Sequence, residues 1–324
     1  MNTLLKLDNA RKVVNLLGSA KPGMDVLVLY DFHTEHNVQA LAIAVQESGA
    51  NLHLLQIPGA KRHGQQFSPI VAQAMRSSHL VIALTQANAA HTEARQQATR
   101  AGVGVIVLPE SSLPNFFMAE GWNADFNSLR PEIEGLAAAL TQAKTARVTS
   151  REGTDITMSI AGRRGRALHG FANADDISAG YCLEASLAPV EGTAEGVIVV
   201  NASIPGVSLI EHEPVRIMVE KGLAVSIEGG REAARFREML KSFADPQVYN
   251  LGELGVGMNP NCTLDGTMLS DESVYGAVQL ALGTSAYIGG TVKAAAHYDT
   301  IVTEARIWLD DKLVLDGTRL LLDA

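Results

Sequence analysis

The first part of the chain alternates short, largely apolar runs with longer amphipathic runs. Four of the apolar runs have the length of buried strands, at residues 26–30, 52–57, 80–84 and 103–108. Apolar strands that alternate with helices are typical of a parallel sheet covered by helices on both faces. The pattern therefore predicts an α/β domain with a doubly wound parallel sheet over residues 1–147.

From residue 148 the chain changes to shorter strand-like runs separated by Gly, Asp and Pro. Such runs occur at residues 196–200, 215–219, 224–227 and 307–309. Short runs with this turn spacing indicate antiparallel strands. One amphipathic helix is predicted at residues 231–243, where apolar positions recur every three or four residues. The second half is therefore expected to be an α+β, largely antiparallel domain over residues 148–324.

The composition narrows the classes of function. With 324 residues and 47% hydrophobic side chains, the chain can bury a core in each of two domains. A net charge of −9 argues against nucleic acid, which requires clustered cations. No apolar run in the sequence is long enough to cross a membrane, and the N-terminal stretch is charged where a signal peptide would be apolar. We therefore expect no membrane partner and a cytoplasmic location.

Two smaller features of the sequence favour structural roles. The basic cluster Arg163–Arg166 predicts a solvated turn, with an anion-gripping site as the alternative. The two cysteines, Cys182 and Cys262, are too few for a disulfide framework and are expected to be structural thiols.

Polar residues follow two of the predicted parallel strands, at the edge where α/β sheets bind ligands. His33 and His36 follow the first strand, and His91 follows the third. No phosphate-binding glycine motif follows any of these strands, which argues against a dinucleotide or a nucleoside triphosphate.

The strongest chemical signal lies in the second half. His297 and Asp299 are two residues apart in a strand-like segment, so both side chains point to one side and can converge on an ion. Glu253 lies in an apolar, glycine-rich stretch, where a buried carboxylate is costly unless it is paired or bound to a metal. These three residues predict a metal site.

Several motifs resemble, in order along the chain, those of the aminopeptidase T family of metallopeptidases and the related 2,5-dihydroxypyridine dioxygenases. The motifs span nearly the whole chain and lie at residues 91–102, 192–196, 243–249, 252–260, 289–290, 297–299 and 307–312. The resemblance implies that Glu253, His297 and Asp299 are the metal ligands, and it also implies a homo-oligomer.

Two departures from these families bear on the chemistry. The peptidases use a histidine for a second metal where this chain has Gln279, and their earlier acidic ligand aligns loosely with Glu191. The dioxygenases hold one iron and have a histidine in place of Glu253. One divalent transition metal is therefore expected, with Fe(II) favoured and Zn(II) or Mn(II) as alternatives.

The remaining candidates are assigned to catalysis or substrate binding. His91, Glu191 and Glu272 are the predicted acid–base residues. Substrate contacts are expected from the side chains of Asn259, Gln279, Thr291 and Lys293.

Three functions are consistent with the sequence. The favoured one is a ring-opening dioxygenase that acts on a small hydroxylated N-heteroaromatic such as a dihydroxypyridine. The alternative is a metal-dependent hydrolase, either aminopeptidase T-like or specific for a small amide or cyclic imide, that uses a metal-activated water. The third is a small-molecule binding protein whose catalytic site has lapsed.

Overall fold

The computed structural model describes residues 2–172 and 177–322. The chain forms two compact units, each assembled from two segments. The first unit comprises residues 1–123 and 170–181, and the second comprises residues 124–169 and 182–324.

Seven α-helices lie in the described part of the chain: α1 (Asn2–Arg11), α2 (Glu35–Glu47), α3 (Pro69–Arg76), α4 (Glu93–Arg100), α5 (Phe126–Gln142), α6 (Arg231–Ser242) and α7 (Met268–Asp271). Helix α1 continues as a π-helical segment, Lys12–Leu17, and 3₁₀ turns lie at Phe116–Met118, Glu120–Asn123 and Pro246–Tyr249. The strands are β1 (Asp25–Asp31), β2 (Asn51–Ile57), β3 (Leu80–Leu84), β4 (Gly104–Leu108), β5 (Thr145–Ser150), β6 (Asp155–Ser159), β7 (Arg166–Leu168), β8 (Glu184–Leu187), β9 (Glu195–Val200), β10 (Ser203–Ile204), β11 (Ser208–Leu209), β12 (Val215–Glu220), β13 (Leu223–Glu228), β14 (Leu251–Gly257), β15 (Val278–Gly283), β16 (His297–Tyr298), β17 (Ile301–Val302), β18 (Ala305–Leu309), β19 (Lys312–Asp316) and β20 (Arg319–Leu320).

The first unit contains the predicted parallel sheet, in the order β2-β1-β3-β4. Strand β3 is buried throughout, as expected for an apolar strand covered on both faces, whereas the edge strand β2 is largely exposed. The four runs identified in the sequence correspond to these four strands. The predicted α/β class of this part of the chain is confirmed.

A buried polar cluster joins helices α1 and α2 to the loop after β4. The ammonium of Lys6 donates to Asn37 Oδ1 at 2.6 Å, and Asn37 Nδ2 donates to the carbonyl of Ser111 at 2.7 Å and to that of Leu113 at 3.2 Å. Both Lys6 and Asn37 are buried, and burial lowers the pKa of the Lys6 ammonium. Asn37 therefore satisfies a buried charge and two carbonyl groups at once.

The second unit contains two antiparallel sheets. One has the order β13-β12-β9-β6-β5-β18-β19-β20. The other has the order β11-β10-β17-β15-β14-β8-β7, with β16 paired to β15. In β12 the residues alternate between buried and exposed, whereas β14 and β15 are buried at every position. The predicted antiparallel character and the helix near residues 231–243 are confirmed.

The structure divides the chain differently from the predicted boundary at residues 147 and 148, which falls inside β5. Helix α5 contacts β7 and β8 and therefore belongs to the second unit. The segment 170–181 returns to the first unit, where Ser178 forms a parallel bridge with Ile106 of β4. Neither contact is visible in the hydrophobic pattern, because both join residues distant in sequence. In the described part of the chain, no helix has the length and apolar character needed to cross a membrane.

We expect Asn37→Ala to lower the free energy of unfolding of the first unit by about 2 kcal/mol, because it leaves the buried Lys6 ammonium without this acceptor. The measurement is urea unfolding followed by Trp122 fluorescence in a Trp308→Phe background. In a Lys6→Met background the same substitution should cost about 1 kcal/mol less. An equal cost in both backgrounds would contradict the assigned role of Asn37.

Candidate metal centre

The face of one sheet in the second unit carries a row of polar side chains. In antiparallel pairs, residues directly opposite each other point to the same face. Gly255 of β14 lies opposite both Ser186 of β8 and Gln279 of β15. Glu184 and Glu253 are each two residues from a member of this row and share its face. Strand register therefore gathers side chains from three strands.

Strand β16 and the residue that follows it add two more groups to the same face. His297 lies opposite Gly283 of β15, and Asp299 follows two residues later. The Nε2 atom of His297 is 3.0 Å from Glu253 Oε2 and 3.8 Å from Asp299 Oδ2. One potential ligand atom from each of the three residues lies within 4.8 Å of the other two. In the part of the chain that the structure describes, this is the one group of three or more such residues with metal-binding spacing.

The imidazole of His297 is oriented by the backbone. Its Nδ1 atom lies 2.9 Å from the carbonyl oxygen of Thr284, so Nδ1 is the protonated nitrogen in the neutral ring. The lone pair of Nε2 then faces the two carboxylates. This arrangement is typical of metal-bound histidines, in which the second nitrogen donates to a fixed acceptor.

Two glycines in β14 allow neighbouring groups to approach the strand. A Cβ atom at Gly255 would lie 1.9 Å from Gln279 Oε1, and one at Gly257 would lie 2.7 Å from the carbonyl oxygen of Glu272. Any larger residue would push these groups away. The close approach brings Glu272 over the sheet, where its carboxyl group hydrogen-bonds to Asp299.

Glu253 and His297 form a buried ion pair. Burial alone lowers the pKa of His297, but the charge of Asp299 and the hydrogen bond to Glu253 outweigh it and raise the pKa to about 9. Burial raises the pKa of Glu253, but the hydrogen bond to His297 leaves it below its usual value. The imidazolium is therefore the cation that balances these carboxylates when no metal is bound.

Among the described residues, the other carboxyl groups in this cluster have no cationic group as close as His297 is to Glu253. Burial, followed by the charge of Glu253, raises the pKa of Glu184 to about 8. Burial, followed by the charge of Asp299, raises the pKa of Glu272 well above its usual value. The pKa of Asp299 is also raised, mainly by burial. A cation would relieve this accumulation of buried negative charge.

The donor set fits a divalent transition metal. One imidazole nitrogen and two carboxylates form a compact group on rigid strands, with the imidazole already oriented. Glu253, His297 and Asp299, the three ligands predicted from the sequence, are therefore brought together. Tyr298 packs away from them, against the rings of Phe236 and Phe243, as its alternate position predicts.

The structure places the other predicted residues at varying distances from this group. Glu272 contacts Asp299 directly. Gln279 is fully buried on the shared face, its Nε2 atom donates to the carbonyl of Glu272, and its Oε1 atom has no hydrogen-bond partner. Asn259 is buried just after β14 and accepts a hydrogen bond from the backbone of Asn261, as in a turn.

The remaining predicted residues lie on loops. Glu191 follows β8 and contacts Arg163, Ser285 and the backbone of Thr291. Burial opposes ionisation of Glu191, but these partners hold its pKa at about 2, an environment that does not favour action as a base. Thr291 and Lys293 are exposed in the loop before His297.

His91 lies in the first unit, in the turn before α4, and its predicted catalytic role stays a prediction. His33 and His36 lie in the same unit, at the end of β1 and in the first turn of α2.

Sequence reasoning missed three residues of the cluster. Ser186 donates to Glu184 Oε1 at 3.0 Å and also hydrogen-bonds to Glu253. Arg166 lies opposite Ser186 in β7, and its charge lowers the pKa of both glutamates. The one signal in the sequence is the period-two spacing of Glu184 and Ser186 in an apolar run.

The prediction of a solvated turn at the basic cluster was wrong for Arg163 and Arg166. Arg163 is largely buried in an ion pair with Glu191, and Arg166 acts on the carboxylate cluster. The alternative was a guanidinium that binds an anion, and Arg163 does bind a carboxylate, but one that belongs to the chain itself, Glu191. Both Cys182 and Cys262 are free and buried, as expected.

Comparison with known proteins supports the resemblance drawn from the motifs. The model of the family described as "NicX: 2,5-dihydroxypyridine 5,6-dioxygenase" matches residues 9–322. A 2,5-dihydroxypyridine 5,6-dioxygenase of Pseudomonas putida strain KT2440 is 28% identical over 192 residues, a match that covers 54% of this chain and 54% of that protein. The chain thus spans about half the length of this curated relative.

Two solved structures share the fold. The 2,5-dihydroxypyridine dioxygenase from P. putida KT2440 has a TM-score of 0.83 at 22% sequence identity, and the match covers 100% of this chain and 98% of the dioxygenase chain. Wild-type AmpT from Thermus thermophilus has a TM-score of 0.70 at 16% sequence identity, and the match covers 99% of this chain and 100% of the AmpT chain. Because the family model covers almost the whole sequence, the chain belongs to the 2,5-dihydroxypyridine 5,6-dioxygenase family.

Proposed function

We propose that this protein is a mononuclear metal-dependent dioxygenase that opens the ring of a small hydroxylated N-heteroaromatic compound such as a dihydroxypyridine. The observation that carries the proposal is the convergence of Glu253, His297 and Asp299 in a chain of this family. A three-residue ligand set leaves coordination positions open for other molecules. Fe(II) is the proposed metal, because oxygen chemistry requires a redox-active ion.

Each residue of the cluster has a proposed part. Glu253, His297 and Asp299 would hold the metal, which would supply the redox chemistry that a reaction with dioxygen requires. Glu272 positions Asp299 by its hydrogen bond. Gln279, Asn259, Thr291 and Lys293 remain candidates for substrate contacts, and an acid–base role for His91 stays a prediction. A homo-oligomer also stays a prediction.

Charge balance supports one metal ion per chain. A single dication neutralises Glu253 and Asp299, and His297 is then neutral. The raised pKa values of Glu184, about 8, and of Glu272 favour the uncharged forms of both groups near neutral pH, so neither requires a second cation. A second dication would require a further set of ligands, and Gln279 offers only an amide oxygen.

The hydrolase alternative is not favoured. A metal-activated water needs a base near neutral pH, and Glu191, one predicted base, has a pKa of about 2. The other predicted base, Glu272, is hydrogen-bonded to Asp299.

We expect protein that has been reconstituted with Fe(II) under argon to consume oxygen when it is then assayed in aerated buffer. It should at the same time remove the absorbance of 2,5-dihydroxypyridine. The Zn(II) form, otherwise identical, should be inactive because zinc has no redox chemistry. Oxygen uptake at an electrode and the ultraviolet spectrum of the substrate provide the measurement. Turnover by the Zn(II) form under strict anaerobiosis would move the assignment to a hydrolase.

We expect His297→Ala and Asp299→Ala each to weaken metal binding by at least about 100-fold while the protein stays folded, because each removes a ligand. Elemental analysis after gel filtration should find about one metal per wild-type chain and close to none in either variant. Exposed His212 offers the matched control, and His212→Ala should keep its metal. Full occupancy in His297→Ala would place the site elsewhere.

Metal affinity should rise with pH up to about 9, because His297 must lose its proton before Nε2 can bind an ion. The pKa of His297 is raised in the folded protein, so its protonation stabilises the metal-free form below its ordinary value of 6.5, and this stabilisation is lost as pH rises through about 9. Calorimetry in buffers of different ionisation enthalpy should detect release of about one proton per Mn(II) at neutral pH. Affinity that is flat between pH 6.5 and 8.5 would refute this coupling.

A further inference from the structure

The loop between β15 and β16, residues 284–296, leads directly into the proposed ligand His297. The tip of the loop contacts an ion pair between Arg163 and Glu191, two residues that lie outside the metal-binding group. Their side chains are largely buried, with relative exposures of 15% and 23%. A buried ion pair needs fixed partners to offset its desolvation.

The loop supplies most of those partners. Glu191 Oε1 accepts hydrogen bonds from the Thr291 backbone N–H at 2.6 Å and from Ser285 Oγ at 3.1 Å. Arg163 Nη1 donates to the carbonyl of Gly289 at 2.6 Å, while its Nη2 atom pairs with Glu191 Oε2. Both oxygens of the carboxylate are therefore used, and the pair binds the loop at three points.

These contacts lead to the imidazole in a few steps. Ser285 Oγ, which donates to Glu191, also accepts from the backbone N–H of Val292 at 3.2 Å. The carbonyl of Val292 accepts from the Ser285 backbone at 2.9 Å and from Thr284 Oγ1 at 3.1 Å. Thr284 in turn provides the carbonyl that fixes His297 Nδ1 at 2.9 Å.

We propose that Arg163 and Glu191 are positioning residues for the metal centre, and that they hold the 284–296 loop so that Thr284 orients the His297 imidazole toward Glu253 and Asp299. The inference rests on the proposed metal centre but does not depend on the reaction or substrate. It gives Glu191 a role through the backbone of the loop, in place of direct proton transfer.

The test is the rate at which Co(II) leaves the loaded protein to an excess of chelator, together with the visible ligand-field spectrum of the bound ion. Glu191→Gln removes the charge and keeps the shape. We expect Co(II) release about 10-fold faster than from the wild type, as is typical when a group that supports a ligand is lost. The Co(II) bands should also shift, because the imidazole is held less firmly.

A matched control lies in the same unit. Arg147 and Asp155 form an exposed ion pair, with 2.8 Å between Nη2 and Oδ2, that does not involve the loop. Asp155→Asn should leave both release rate and spectrum unchanged. Arg163→Lys keeps the charge but loses the forked geometry, and should give an intermediate release rate. If Glu191→Gln does not fold, Arg163→Lys carries the test with the same expected direction.

Three results would overturn the inference. One is a release rate and spectrum in Glu191→Gln equal to those of the wild type. Another is an equal change in Asp155→Asn, which would indicate general destabilisation. The third is a loss of turnover with no change in metal release, which would make Glu191 a base. Failure of the wild type to retain Co(II) would instead remove the metal centre and, with it, the proposed function.

Discussion

The desolvation of carboxylates around one imidazole is the constraint on which the rest of the site depends. Glu184, Glu253, Glu272 and Asp299 lie close together with little exposure to solvent, and burial together with the charge of neighbouring carboxylates raises the pKa of Glu184, Glu272 and Asp299. His297 and Arg166 provide cationic groups that offset part of this cost. Such an arrangement persists in a folded protein when it serves a purpose beyond stability, and capture of a metal cation is one that the geometry satisfies.

The residues of β14 allow these carboxylates to be buried in the sheet. Strand β14 is buried on both faces, so its side chains must be apolar, absent or paired. Its two glycines on the face of the site leave space that Gln279 and the backbone near Glu272 occupy. The same strand thus provides both a charged ligand and the room for the groups around it.

The local pattern of the sequence was sufficient to predict the strands of the first unit and helix α6, and to single out the three proposed ligands. His297 and Asp299 could be paired because their spacing of two residues is local. Glu253 stood out as the one charge in an apolar stretch. In each case the signal lay within a few neighbouring residues, where strand periodicity determines the direction of a side chain.

The remaining features depend on contacts between distant segments. Glu184 and Ser186 join the site only because β8 pairs with β14 in a particular register. Arg163 is buried by Glu191 and by a loop more than a hundred residues further along the chain. The return of segment 170–181 to the first unit has the same origin. No single-sequence pattern specifies such pairings.

The two-residue length of β16 has a consequence for how an ion would enter and leave. Strand β16 pairs with β15 at only two positions, whereas β14 has partners on both sides. Short pairings open more readily than the centre of a buried sheet. Of the three proposed ligands, His297 is therefore carried by the more easily opened strand and Asp299 directly follows it, whereas Glu253 lies in a strand that is paired on both sides. Local opening of β16 would release His297 from a bound ion while Glu253 stayed in its strand, so exchange of the proposed metal would not require the sheet to unfold.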